Sequence, residues 1–328
     1  MMRVKFGLFS MSGDFSAVMA TALRADRAGF YSFSPNDHFF SPFGSPEAPQ
    51  LECFTILSAI AARTNRIRLA PAVVAASFRP PPLLAKIATT LDIVSGGRLI
   101  LGVGAGWLPG EYHAHGYPFP STPERLEQLA EALQVVKAMW TQEEPTFKGR
   151  YFAIEKAYNQ PRPIQRPHPP IMVGGSGTRL LQIAAAYADL VNLIPPTRDG
   201  KDFPKDPDAT LRFDTARLKD RIKRLRGFAE AAGRDPEEIE LSGLALLGLS
   251  RNPEDPALGH LARSLGFPDL STAKKSPVAL LGSPDQVCDE LRERIEDTGI
   301  AYFILAPTTP ETLDLFVDEV MPQFAPSG

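Results

Sequence analysis

Asp37 and His38 are neighbours in the chain and form the first candidate for chemistry. A neutral imidazole can hydrogen-bond a bound ring or a substrate carbonyl, and a carboxylate beside it can fix the imidazole tautomer or act as an acid or base itself. The alternative is a purely local role, because a single histidine in a loop is often only a hydrogen-bonding group. We predict that His38 polarises a substrate oxygen and that Asp37 orients His38.

A run of alternate glycines forms the second candidate. Glycine occupies positions 102, 104 and 106, and Trp107 follows directly. A dinucleotide-binding turn needs a third glycine where Trp107 stands and an immediate helix, which Pro109 prevents, so this class of site is excluded. Alternate glycines leave the main chain bare on one face, so a flat ring could approach it; the competing explanation is tight packing inside a barrel. The residues predicted to face a ring are Gly104, Ala105 and Gly106, with Trp107 as an apolar wall.

A glycine-rich turn forms the third candidate. It joins a predicted strand to a predicted helix, and Arg179 follows it. Free backbone N–H groups at a helix start, flanking hydroxyls and a nearby guanidinium are what the oxygens of a phosphate require. The alternative is a flexible turn with a serine cap. The residues predicted to bind an anion are Gly174, Gly175, Ser176, Gly177 and Thr178.

Glu111, His113 and His115 have a spacing that could suggest a metal site. Barrel metal hydrolases usually place two histidines on the first strand, where this chain has Gly7, Leu8 and Phe9. No cysteine or aspartate cluster joins the three residues, so we expect no metal and interpret them either as a loop solvated by its two histidines or as a substrate rim.

The elements that must position these residues alternate between short apolar runs and longer amphipathic stretches. Strands are predicted at 4–10, 31–35, 67–74, 99–104, 170–174, 190–193, 239–249 and 301–306. Helices are predicted at 16–28, 52–63, 83–95, 123–141, 178–187, 210–232, 284–298 and 310–324, with start signals at Ser283 and Thr309. Continuous apolar strands are typical of buried parallel sheets. Eight repeats predict an α/β protein with a (β/α)8 barrel, and a doubly wound open sheet is the competing architecture.

The 32 prolines are about twice ordinary usage, and clusters of them follow the carboxyl ends of the predicted strands, where barrel enzymes place their active sites. Insertions are predicted after strands four, six and seven. Segment 142–169 is expected to contain a short hairpin, and segments 195–209 and 251–277 are either lids over the barrel mouth or plain surface insertions.

Composition narrows the function classes further. The chain has 328 residues, which we interpret as one barrel domain over 1–328, and 44% of them are hydrophobic. A net charge of −3 makes nucleic acid an unexpected partner. Two cysteines, Cys53 and Cys288, suit reduced buried thiols. With neither a signal-peptide pattern nor an apolar run long enough to cross a membrane, we expect a cytoplasmic protein without membrane contact.

In this order, the motifs resemble the luciferase-like monooxygenase superfamily, which comprises barrel flavoproteins and enzymes that use the deazaflavin coenzyme F420. The resemblance covers almost the whole chain. Its most specific parts are NDHFF (36–40), GRLILGVGAGW (97–107), EYHAHGYPF (111–119) and PPIMVGGSGTRLLQIAAAYADLVN (169–192).

The resemblance implies a flavin-type ring in the barrel mouth, with its phosphate tail at Gly175, Ser176, Gly177 and Thr178. It also implies a bulge or a cis peptide near Ala72 and Val73 that presses on the ring. Asp37-His38 is similar to the F420-dependent branch. Sugar-phosphate dehydrogenases of that branch have a glutamate where this chain has Trp107, so their substrate is not carried over.

The expected function is therefore F420-dependent hydride transfer to or from a small organic substrate. The alternative is a two-component monooxygenase that uses FMNH₂ from a separate reductase, and a flavin-binding protein without turnover stays open as a third reading. Relatives are often dimers, which leaves a homodimer open.

Overall fold

The computed structural model describes residues 3–10, 13–42, 45–196 and 206–325. Its strands are β1 (Lys5–Ser10), β2 (Ser32–Pro35), β3 (Arg68–Leu69), β4 (Val74–Ala75), β5 (Leu101–Gly104), β6 (Phe147–Lys148), β7 (Ala153–Ile154), β8 (Ile171–Gly174), β9 (Leu190–Leu193), β10 (Glu240–Leu249), β11 (Ala279–Gly282) and β12 (Tyr302–Pro307). Its α-helices are α1 (Phe15–Ala28), α2 (Cys53–Ala61), α3 (Pro81–Val94), α4 (Pro109–Ala114), α5 (Thr122–Thr141), α6 (Thr178–Tyr187), α7 (Pro207–Arg212), α8 (Thr215–Ala231), α9 (Pro256–Ser264), α10 (Leu270–Lys274), α11 (Pro284–Thr298) and α12 (Pro310–Leu315).

The predicted barrel is confirmed. Parallel pairing runs in the order β3, β2, β1, β12, β10, β9, β8, β5, β4. Because β3 and β4 are two pieces of the third strand, this order closes on itself, and a parallel bridge between Leu69 and Leu99 supports the closure. The carboxyl ends of all these strands therefore meet at one rim, where the candidate residues lie.

The third strand is shorter than predicted. Instead of one strand over 67–74, β3 pairs with β2 and β4 pairs with β5, and the Ala72–Val73 peptide bond between the two pieces is cis. The expected irregularity near Ala72 and Val73 is thus confirmed. Its effect is to place these two residues at the mouth of the barrel rather than within a regular ladder.

The second half of the chain differs from the prediction in three places. β11 is an additional strand that pairs in parallel with the carboxyl half of β10. The helix predicted over 210–232 is two helices, α7 and α8, and the one predicted over 310–324 keeps α-helical bonding only in α12. Segment 251–277 holds α9 and α10, whereas positions 197–205 of segment 195–209 lie outside the described residues.

Several local predictions agree with the structure. Ser283 begins α11 with a capping box to Gln286, and Thr309 caps α12. The short hairpin in 142–169 is the β6–β7 pair. Cys53 and Cys288 are buried free thiols, and burial raises the pKa of both. Among the described helices, none is both long and apolar enough to cross a membrane.

Candidate active site

A cavity of about 450 Å³ lies at the rim where the barrel strands end. Most of the residues singled out in the sequence line it. They are Asp37, His38, Ala72, Val73, Gly104, Ala105, Gly106, Trp107, Gly174, Gly175, Ser176 and Gly177. Thr178 is the exception, because its side chain is exposed and its hydroxyl accepts a bond from Arg221 (3.4 Å).

Val73 forms the floor of this cavity, and the glycines make room for it. A Cβ atom on Gly104 or on Gly174 would lie 2.9 Å from a methyl group of Val73. A Cβ on Gly102 would lie 1.8 Å from the carbonyl oxygen of Pro71. The competing explanation of the alternate glycines therefore holds at positions 102 and 104: they admit the irregular third strand, which in turn presents Ala72 and Val73 to the cavity.

Glycine is required at position 106 for a different reason. Its φ angle is +75°, and a Cβ there would lie 1.8 Å from the hydroxyl of Tyr112. That hydroxyl shares a 2.5 Å hydrogen bond with Ser77, and burial raises the pKa of Tyr112 to about 12. The neutral phenol is thus held against the bare backbone of Gly106 at the cavity wall.

Replacing Gly106 with alanine is expected to destabilise the protein by about 1–3 kcal/mol, because a left-handed backbone disfavours a side chain and Tyr112 would have to move. Chemical denaturation measures this loss. Gly110→Ala is the matched control, since its Cβ would meet nothing within 4 Å. Equal stability of the two variants would contradict the packing described here.

His38 is held by the buried carboxylate of Glu111, a contact that the sequence analysis did not predict. The Nδ1 atom of His38 lies 2.8 Å from Oε2 of Glu111, and the other oxygen of Glu111 accepts the backbone N–H of Phe39 at 2.5 Å. Glu111 is only 1% exposed. A carboxylate that accepts from Nδ1–H fixes the tautomer with a free Nε2. The ring of Trp107 stands edge-on to the imidazole, 5.7 Å away.

Asp37 does not make the predicted contact with His38. Its two carboxylate oxygens accept hydrogen bonds of 2.8 and 2.9 Å from Arg79, and one of them also accepts the backbone N–H of Ala75 at 3.1 Å. Burial lowers the pKa of Arg79, but its bonds to Asp37 and Glu52 outweigh burial and raise it. The prediction that Asp37 orients His38 is therefore wrong: Asp37 ties the end of β2 to β4.

The turn after β8 leaves backbone donors available. Gly175 has φ +131° and donates to the carbonyl of Asn192, and Gly177 begins α6 without any side-chain cap. The first N–H groups of a helix lack partners within the helix, so they suit an anion. The Ser176 hydroxyl, however, donates to the carbonyl of Ile194 (2.5 Å), which leaves it only its acceptor capacity. The backbone, rather than the predicted hydroxyls, offers the donors.

Arg125 is a cavity residue that the sequence analysis missed. It is 8% exposed, and it donates only to neutral oxygens, on Pro120 (2.6 Å) and Thr122 (3.2 Å). Its Nε has no hydrogen-bond partner among the described residues. Burial lowers the pKa of this guanidinium, which means that its charge is incompletely compensated. The available signal was an arginine in the first turn of a helix just after a proline-rich loop.

The ion pair between Arg179 and Glu127 (2.7 Å) joins the first turn of α6 to the second turn of α5, the helix that carries Arg125. The guanidinium of Arg179, which the sequence predicted to lie near a bound phosphate, is therefore paired with Glu127. The Arg179 side chain is half exposed. Among the described residues, no group of three or more potential metal ligands is brought together, and Glu111 contacts His38 rather than His113.

Comparison with known proteins agrees with the fold. The family model described as luciferase-like monooxygenase matches residues 3–204, so the chain belongs to this family. An FMNH(2)-dependent dimethylsulfone monooxygenase of Pseudomonas putida is 32% identical over 50% of this chain and 45% of its own length. An F420-dependent glucose-6-phosphate dehydrogenase of Amycolatopsis mediterranei is 28% identical over 82% of this chain and 75% of its own.

Among solved structures, an F420-dependent secondary alcohol dehydrogenase in complex with an F420-acetone adduct has a TM-score of 0.79 at 23% identity. The match covers 98% of this chain and 99% of that one. At this identity the likeness concerns the fold, and it extends over the whole barrel.

Proposed function

We propose that this protein is an F420-dependent oxidoreductase that transfers a hydride between the deazaflavin and a small organic substrate. The observation that carries the proposal is the His38–Glu111 pair, 2.8 Å apart and facing a cavity of cofactor size. Relatives that use F420 support it, as does the likeness of Asp37-His38 to that branch. We further propose that the chain forms one domain of a cytoplasmic enzyme, either as a monomer or as a homodimer.

The residues present fit a ring with a phosphate-bearing tail. Ala72, Val73, Ala105 and Gly106 offer a backbone-rich surface for a flat ring. The N–H of Gly175 already donates to Asn192, so the anionic tail would lie on the N–H groups of Ser176 to Thr178. Arg125 would lie beside it, and the buried guanidinium would gain the counter-charge that it lacks. Thr178 would contribute its backbone N–H to this site but not its hydroxyl.

His38, Glu111 and Trp107 then each have a defined role in the reaction. When bound, the deazaflavin supplies or accepts the hydride. A substrate alcohol that loses a hydride must also lose its hydroxyl proton, and Nε2 of His38 accepts it; in the reverse direction the same nitrogen returns it. Glu111 holds the imidazole in the tautomer that leaves Nε2 free. Trp107 excludes water from one side of the reacting atoms.

The alternative is an FMNH₂-dependent monooxygenase that receives reduced flavin from a separate reductase. Trp107 favours it, since the position lacks the glutamate of the sugar-phosphate dehydrogenases, and so does the Pseudomonas putida relative. The two functions differ in their need for oxygen. We expect oxidation of reduced F420 by a carbonyl substrate without oxygen; oxygen consumption with photoreduced FMN, and no anaerobic reaction with F420, would favour the alternative instead.

Arg125→Met is expected to weaken cofactor binding by about 10- to 100-fold, because one or two charge-assisted hydrogen bonds to the tail are lost. Fluorescence titration with F420 measures the change. Arg179→Met serves as the control, since its guanidinium is paired with Glu127 at the surface, and we expect less than about a threefold effect. Similar losses in both variants would argue against a tail site at Arg125.

A further inference from the structure

The cavity has two chemically different sides. The residues proposed to hold the cofactor come from the break between β3 and β4 and from the segments after β5 and β8. In the closed ring, β10, β12 and β1 lie on the other side, separated from them by β9 and β2. A ring bound on Ala72 and Val73 therefore turns its free face toward β10, β12 and β1, and the substrate must lie against that wall.

This second wall, here called the substrate wall, is apolar. It consists of Phe9, Leu244, Leu246, Leu265, Ala306 and Thr308. The single hydroxyl among them, that of Thr308, donates to the backbone carbonyl of Leu247 at 3.0 Å. Leu265 comes from the end of α9, so the segment predicted as a lid contributes another apolar side chain rather than a polar one.

The charges that line the cavity come from elements other than β1, β10 and β12, and they have other tasks. Among the described lining residues, the carboxylates are Asp37 and Glu111, which contact Arg79 and His38 respectively. The arginine is Arg125, which the proposed function assigns to the tail of the cofactor. An anionic substrate would therefore place its charge against leucine and phenylalanine without a counter-ion, which is costly.

We propose that the substrate is an uncharged molecule with an apolar body and one oxygen directed at Nε2 of His38, such as a ketone or a secondary alcohol. The inference rests on the proposed function, because the cofactor defines which wall faces the substrate. Sugar phosphates, carboxylates and sulfonates are excluded by the same argument. The apolar wall contributes affinity in proportion to the buried carbon surface.

The first test compares two probes of similar length, 2-heptanone and heptanoate. F420 is titrated first, and both probes are then added to the loaded protein and followed by saturation-transfer NMR. We expect 2-heptanone to bind at least about tenfold more tightly. Equal or tighter binding of heptanoate would overturn the inference while leaving the proposed function intact. Absence of binding of F420 would contradict the proposed function itself.

The second test adds a cation to the wall. Leu246→Arg is expected to weaken 2-heptanone binding and to strengthen heptanoate binding by about tenfold or more. Leu83→Arg is the control, because Leu83 is 49% exposed on α3 and lies outside the cavity. If Leu246→Arg does not fold, as judged by its melting curve, Leu265→Arg replaces it with the same expectation. Unchanged preference in a folded variant would contradict the placement of the substrate wall.

Discussion

Replacing His38 with alanine is expected to lower turnover by about 10²- to 10⁴-fold, the usual contribution of a positioned acid or base. The affinity for the cofactor should stay within a few-fold, because the tail and the ring contact other residues. Steady-state kinetics with F420 and a fluorescence titration measure the two quantities separately.

Glu111→Gln should also lower kcat, by about 10²-fold, because an amide can hold the wrong imidazole tautomer. Its effect should appear in kcat and its pH profile more than in KM. His113→Ala is the control: this histidine is exposed on α4 and does not line the cavity. If the His38 variant keeps normal turnover, the imidazole is not the proton carrier.

Arg79→Ala is expected to lower the free energy of unfolding by about 3–5 kcal/mol, since it leaves Asp37, only 5% exposed, without its partner. The loss should extend to the site, because the same carboxylate accepts the N–H of Ala75, two residues after Val73. Urea denaturation followed by circular dichroism measures the change.

Glu52→Gln provides the matched control for that network. Glu52 also bonds Arg79, at 2.6 Å, but its side chain is 48% exposed, so the loss should stay below about 1 kcal/mol. Removing both members of the buried pair, in Asp37→Ala with Arg79→Ala, should cost less than the sum of the two single variants. Additive losses would indicate that the pair does not act as a unit.

The barrel could be predicted because each strand is a continuous apolar run bounded by turns, and eight such runs alternate with amphipathic helices. The third strand divides between Leu69 and Val74, where the Ala72–Val73 bond is cis, and no pattern of apolar residues encodes that break. β11 was missed because Ala279–Gly282 is short and adjoins the predicted start of α11.

The site was predictable where backbone conformation determines residue type, as at Gly106 and Gly175, because a positive φ demands glycine. The partners of charged side chains were not, since they depend on distances in space. Adjacency suggested that Asp37 holds His38, yet Glu111, 73 residues further along, does so. Arg125 was not predicted for the same reason, because only the folded chain shows that its guanidinium is buried in the cavity wall.

We propose that this cavity binds a deazaflavin and not FMN. Purified protein titrated separately with F420 and with FMN, by fluorescence or calorimetry, tests it directly. We expect micromolar binding of F420 that Arg125→Met weakens by about 10- to 100-fold. Micromolar binding of FMN together with no detectable binding of F420 would contradict it.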